Sequence, residues 1–356
     1  MAADSDSYEE SVRTRREEAV AEFDAHESGF IGTIHGILHK YPFLVPLMVI
    51  IMAIIVFGLI NPNFWRVGTL SLILQQVGIV GILGIAQALV IITAGIDLSV
   101  GAMLVFITVI MGNFSFRYGI PAEISIVIGL AAGALMGFAN GWMVARLRLP
   151  PFIVTLGTWQ IILAANYIYS RNETIRSQDI EAEAGALQFW GEIFSIGGAR
   201  ATYGVVAFLS LVAVVAYILS STAWGRHVYA VGDDKEAAEL AGVNTDKVLI
   251  QVYTVAGLLC GIAAWVAIGR FGAISPGAST GIQGNIQSIT AVVIGGISLF
   301  GGRGSIIGMF LGALTVGVFE MGLRLAGADA QWTFLLIGVL IIAAVTVDQW
   351  IRKVSG

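Results

Sequence analysis

The residues IITAGIDLSVG (91–101) carry the pattern that decides the fold. An apolar run ends there and a lone carboxylate, Asp97, stands at its edge. Gly95 and Gly101 bracket it, and a second apolar run begins at once. Near the other end of the chain, VVIGGISLFGG (292–302) repeats the arrangement. Gly95 matches Gly296, Ile96 matches Ile297, Leu98 matches Leu299 and Gly101 matches Gly302, while Asp97 meets Ser298. Two Gly-Ile-x-Leu breaks between hydrophobic runs point to a duplicated membrane protein whose helices are interrupted at related places. Such interruptions mark transport paths. The simpler reading is two unrelated turns that share a short motif.

Composition agrees. Of 356 residues, 57% are hydrophobic and only 12% charged, and the mean hydropathy is +0.85. A soluble domain carries about 25% charged residues, so lipid must cover much of this surface. The 44 glycines suit close helix approach. A net charge of -5 without a basic stripe argues against nucleic acid. The single Cys260 excludes a disulfide frame, and three of the four histidines precede residue 40. The fourth, His227, suits the lipid headgroup level better than a metal site. Residues 1–41 are polar and of mixed charge, unlike a secretory signal, and read as a cytoplasmic tail.

A span needs about 20 apolar residues, and ten candidates follow. The first five cover 42–60, 70–93, 98–116, 122–145 and 152–169. The second five cover 201–219, 249–268, 286–300, 306–325 and 331–347. The membrane domain is therefore 42–350, with 351–356 as a C-terminal tail. With the N-terminus inside, all four lysines (Lys40, Lys235, Lys247, Lys353) fall on inner segments, in line with the positive-inside rule. Both termini are then cytoplasmic, and both breaks face the cytoplasm in parallel halves. The fold expected is an all-α membrane protein.

Within the spans, Gly129, Gly133, Gly137 and Gly141 form a ladder for tight packing. Asn140 beside it must find a partner, either on a path or across a helix contact. Buried charge is scarce: Asp97 lies at an inner edge and Glu320 toward an outer one. A proton-driven carrier would bury more acids or histidines. Candidate path residues are Asp97, Ser99, Gln75, Gln76, Gln87, Asn140, Gln160, Asn166 and Glu320, with Trp159 and Tyr167 as aromatic surfaces. Apolar walls with a few polar groups suit a small hydroxylated ligand. Glutamines and tryptophans in spans also serve helix contacts and interface belts. Asp97 reads first as a cap for a helix starting near Leu98, with Ser99 assisting. Residues 170–200 form the largest outer segment, either a partner-contacting loop or a solvated connector.

The inner loop 224–248 reads as a handle. Asp233 caps a two-turn helix over 234–241, with Glu236 at capping-box spacing and Gly242 as its stop. Ala237, Ala238, Leu240 and Ala241 give it a small apolar face for a peripheral protein or for lipid headgroups. No lysine is followed by Ser or Thr, so a phosphate-binding Gly-Lys-Ser/Thr loop is absent,.

Four stretches resemble the monosaccharide-type permeases of bacterial ABC importers, the ribose/xylose/fructose branch. They are ITAGIDLSVG (92–101), ARLRLPPFIVTLGT (145–158), GRHVYAVG (225–232) and AVVIGGISLFGGRGS (291–305). The resemblance covers residues 45 to 350. It implies an ABC importer permease fold of ten helices in the bacterial inner membrane, working as a pair, whose partners besides lipid are two ATPase subunits and an extracytoplasmic sugar-binding protein. ATP and magnesium would sit on the ATPase, and this chain would hold no cofactor and catalyse no reaction. The loop from Gly225 and Arg226 through Gly232, Asp233 and Asp234 to Gly242 would carry the coupling helix. Ala94 stands where a second glycine is common, a difference expected to change little. The rival classes are an ATP-independent facilitator or secondary sugar carrier, and a signalling or scaffold membrane protein.

Overall fold

The computed structural model describes residues 44–196 and 199–355. The N-terminal tail inferred over 1–41 lies outside the described residues. From Pro46 onward the chain forms one unit, to which all that follows refers.

The apolar runs become helices in chain order. They begin with α1 (Leu44–Ile60), α2 (Val67–Ile92), α3 (Val100–Phe116), α4 (Ala122–Arg146) and α5 (Pro151–Ser170). Pro151 sits in the first turn of α5, where its fixed φ and missing N–H cost nothing. A short helix α6 (Ser177–Glu183), a 3-10 segment (Gly185–Gly191) and a hairpin of β1 (Ile193–Ile196) and β2 (Ala199–Thr202) follow. The strands pair antiparallel, Ile193 opposite Thr202. Then come α7 (Tyr203–Ser221), α8 (Ala223–Asp233), α9 (Lys235–Leu240) and α10 (Thr245–Phe271). The chain closes with α11 (Ala278–Ile294), α12 (Ile306–Leu325) and α13 (Ala330–Ser355).

Among the described residues, six helices are long and apolar enough to cross a membrane: α2, α4, α5, α7, α10 and α12. Pro46–Ile60, Val100–Phe116 and Gln331–Thr346 are shorter apolar helices. The span expected over 286–300 is displaced. Gly296 takes φ +77 and turns the chain after Ile294, so Ile297 to Phe300 lie beyond the helix. At its other end α11 extends back through Gln283 to Ala278, polar sequence that an apolar scan rejects. At the C-terminus, α13 continues to Ser355, through residues read as a tail.

The apolar window of α2 is 89% buried, against 22% for α5. Helix α2 is thus the central post, and α5 presents most of its surface outward. The glycine ladder explains how α4 reaches the core. A Cβ on Gly133 would lie 2.4 Å from the Gly257 carbonyl oxygen, and one on Gly137 would lie 2.1 Å from that of Tyr253. Backbone meets backbone along α4 and α10, the small-residue packing that apolar helices need when no water drives them together.

The described residues of the 170–200 segment are folded rather than a solvated connector. The Trp265 indole donates to the Ala186 carbonyl at 3.1 Å, and Trp190 packs edge-on against Trp265. Ile175 and Ile274 form an isolated antiparallel bridge, and Gln75 of α2 donates to the Arg200 carbonyl at 2.8 Å. This segment therefore caps the end of α10 remote from α8.

Gly137→Val should cost about 2–3 kcal/mol by overpacking, read as a lowered melting temperature of the purified protein. Gly157→Ala, where nothing lies within 4 Å of the added carbon, should leave it unchanged.

Candidate functional site

Helix α2 ends at Ile92 and α3 starts at Val100, leaving an interrupted segment in which the carbonyls of Ile96, Asp97 and Leu98 accept from side chains rather than from helical N–H groups. The donors come from three different helices. The Ile96 carbonyl lies 3.0 Å from the hydroxyl of Thr155 of α5, a donor it shares with the Pro151 carbonyl at 2.9 Å. The Asp97 carbonyl accepts from the Gln87 amide of α2 at 2.7 Å. The Leu98 carbonyl accepts from the Asn285 amide of α11 at 2.9 Å. In an apolar medium each unsatisfied carbonyl would cost several kcal/mol, so these polar residues hold the break open.

Asp97 itself is buried. Its Oδ1 accepts from the Ser99 backbone N–H at 2.8 Å and from the Ser99 hydroxyl at 2.6 Å. The Asn140 amide of α4 donates to Ser99 Oγ at 2.9 Å. The capping role assigned to Asp97 needs correction. Helix α3 starts two residues later than expected, and Asp97 closes a side-chain turn ahead of it. Ser99 is the N-cap but makes no side-chain capping bond. Asn140 ties a helix contact. Its own carbonyl oxygen, those of Gln87 and Asn285, and the Tyr253 hydroxyl are buried without a protein hydrogen bond.

The second break shares part of this geometry. Ser298 Oγ accepts from the Phe300 N–H at 3.4 Å, the counterpart of Asp97 accepting from Ser99. The helix ends are offset by one residue, however. The left-handed position is Ala94 (φ 59) in the first break and Gly296 (φ 77) in the second. Ala94 is thus not an indifferent replacement, because a Cβ in that region is strained by about 1–2 kcal/mol. Gly101 and Gly302 also part company. Gly101 lies inside α3, where a Cβ would fall 2.0 Å from the Gly281 carbonyl oxygen of α11. Gly302 has φ 70 and lies outside any helix, packed against the backbone of Asp233.

The remaining path candidates do not converge. Trp159 and Asn166 of α5 line a cleft with Ala102, Val105, Leu163 and Gly281. Its volume is about 10 Å³, room for about one water, so a sugar does not fit in this conformation. The Asn166 amide is committed to the Pro276 carbonyl at 2.8 Å. Gln160 is exposed on α5. Glu320 stands apart, 3.5 Å from Arg324 and at the same distance from the Gln287 amide. Thr155 and Asn285 were missed by sequence reasoning, although an asparagine within a buried helix was a usable signal.

The inner handle is two helices. Thr222 caps α8 by accepting from Gly225 N–H at 3.2 Å. Asp234, not Asp233, caps α9, accepting from Ala237 N–H at 2.9 Å. Asp233 is the last residue of α8, because the residues from Ala223 on are already helical. Gly242 has φ 86 and ends α9. Arg226, Asp233, Glu236 and Ala237 are exposed, Ala238 is buried, and Leu240 is 91% exposed. Tyr229 of α8 donates to the Gly304 carbonyl at 2.8 Å. Burial pushes its phenol above the usual range, which keeps the hydroxyl protonated as a donor.

Residues 69–345 match the family model described as branched-chain amino acid transport system / permease component. The chain belongs to this permease family. It is 60% identical over 338 residues to the fructose import permease protein FrcC of Rhizobium meliloti, covering 95% of this chain and 93% of the relative. It is 33% identical to the ribose import permease protein RbsC of Escherichia coli K12, over 85% and 92% of the two chains. The xylose transport system permease protein XylH of Haemophilus influenzae is 30% identical, over 80% and 89%. No solved structure matches. The permease is a multi-pass membrane protein.

Asp97→Asn preserves an oxygen for the Ser99 N–H and should leave the purified permease folded. Asp97→Leu strips the acceptor from two buried donors, at about 1–3 kcal/mol each. Size-exclusion profiles and melting temperatures of the two variants check this.

Proposed function

We propose that this permease is the membrane-spanning subunit of an ATP-driven, binding-protein-dependent importer of a monosaccharide, with fructose as the first candidate. The observation that carries this is 60% identity over 95% of the chain to a protein named as a fructose import permease. In this reading α1–α5, α7 and α10–α13 make ten spans with both termini cytoplasmic. Two copies enclose the path. A sugar-binding protein delivers cargo at the end capped by the 175–202 segment, and an ATPase subunit, holding ATP and magnesium, grips α9 at the opposite end.

The geometry supports this division of labour. Helix α9 is fixed at its start by Asp234 and at its end by Gly242, and it offers Ala237 and Leu240 to a partner. Among the described residues no three metal-ligating side chains group together, and Gln75, Gln87, Asn166 and Asn285 in the core hold backbone carbonyls. Such a chain moves neutral cargo by changing shape. The cleft beside Trp159 and Asn166 is closed to sugar in this state and would open in another. ATP binding on the partner favours one state only through its differential affinity for the two.

A strain lacking this chain should lose uptake of labelled fructose and regain it on complementation, and ATP depletion should abolish the restored uptake. Restored uptake that persists after ATP depletion would contradict the proposal.

A further inference from the structure

The two helix breaks and the end of α8 meet backbone to backbone, with the Cβ carbons of Ala94 and Asp233 beside the glycines. A Cβ on Gly232 would lie 1.7 Å from the Ile92 carbonyl oxygen, at the end of α2, and 2.8 Å from the Gly302 nitrogen of the second break. A Cβ on Gly301 would lie 2.5 Å from the Gly232 carbonyl oxygen and 2.8 Å from the Ala94 nitrogen. The breaks are also bonded to each other, Gly302 N–H donating to the Ile92 carbonyl at 2.9 Å. Three residues before Gly232, hence on the same face of α8, Tyr229 reaches the Gly304 carbonyl. Asp234 ends α8 and caps α9, so the two short helices share one residue.

We propose that Tyr229 and Gly232 form a joint through which movement of α9 drives both helix breaks together, with Tyr229 as the positioning residue that holds the second break to α8. This rests on the reading of α9 as the ATPase-facing helix. Backbone packed on backbone has no rotamers with which to absorb a displacement, and close-packed interiors transmit strain. A shift of α8 therefore reaches Ile92 and Gly302 directly. Four glycines of the second break have positive φ, Gly296, Gly301, Gly302 and Gly304, and let that segment follow without steric cost. The hydroxyl of Tyr229 makes the motion bidirectional, since contact alone can push Gly304 but cannot pull it.

The test uses vesicles containing the permease with its ATPase and binding protein, and reads labelled fructose taken up per ATP hydrolysed. Tyr229→Phe keeps the ring and deletes one neutral hydrogen bond, so the ratio should fall about fivefold while the purified complex retains its composition. Gly232→Ala should lower the ratio at least as much. A wild-type ratio in Tyr229→Phe overturns the joint, as does a parallel loss of hydrolysis and uptake at constant ratio. Wild-type vesicles that hydrolyse ATP without taking up fructose, ribose or xylose contradict the transport reading itself, and the joint with it.

Discussion

Side chains from α2, α5 and α11 donate to three successive carbonyls between α2 and α3, and the rest of the structure depends on that arrangement. A helix interrupted in an apolar setting exposes backbone groups that no water satisfies. Gln87, Thr155 and Asn285 supply the missing donors, and Asn140 of α4 secures Ser99. One break thereby fastens four helices. The glycine seam between α4 and α10 then brings Tyr253 beside Gly95, where an added carbon would lie 2.8 Å from its hydroxyl.

The same arrangement bears on function. Polar residues spread along the spans read at first as a route for cargo. Three of them are committed to backbone: Gln75 to Arg200, Gln87 to Asp97, Asn166 to Pro276. What remains for a sugar is the wall around Trp159, closed in this conformation.

Much of this was legible in the sequence, because apolar runs and glycines act locally. The helices appear where the runs do, and the stop at Gly242 follows from a conformation glycine adopts freely. The failures are tertiary. Asp233 and Asp234 are equal caps on paper, and only the helical state of Ala223 to Asp233 makes Asp234 the cap. Helix α11 begins before its apolar run, because its first turns carry exposed Ser279, Thr280 and Gln283 and the buried Asn285, which a hydropathy scan counts against it. The repeat keeps a single register in sequence, yet Ala94 and Gly296 turn the chain one residue out of step with Asp97 and Ser298. Donors such as Thr155 and Asn285 could not be assigned, since their partners lie more than fifty residues away.

The most direct measurement is hydrogen exchange of the Ser99 amide, with the permease in a lipid bilayer. If the break is a clamped element, that amide, bonded to Asp97, exchanges as slowly as those in the buried half of α2. Exchange at the rate of an unstructured loop would contradict the account.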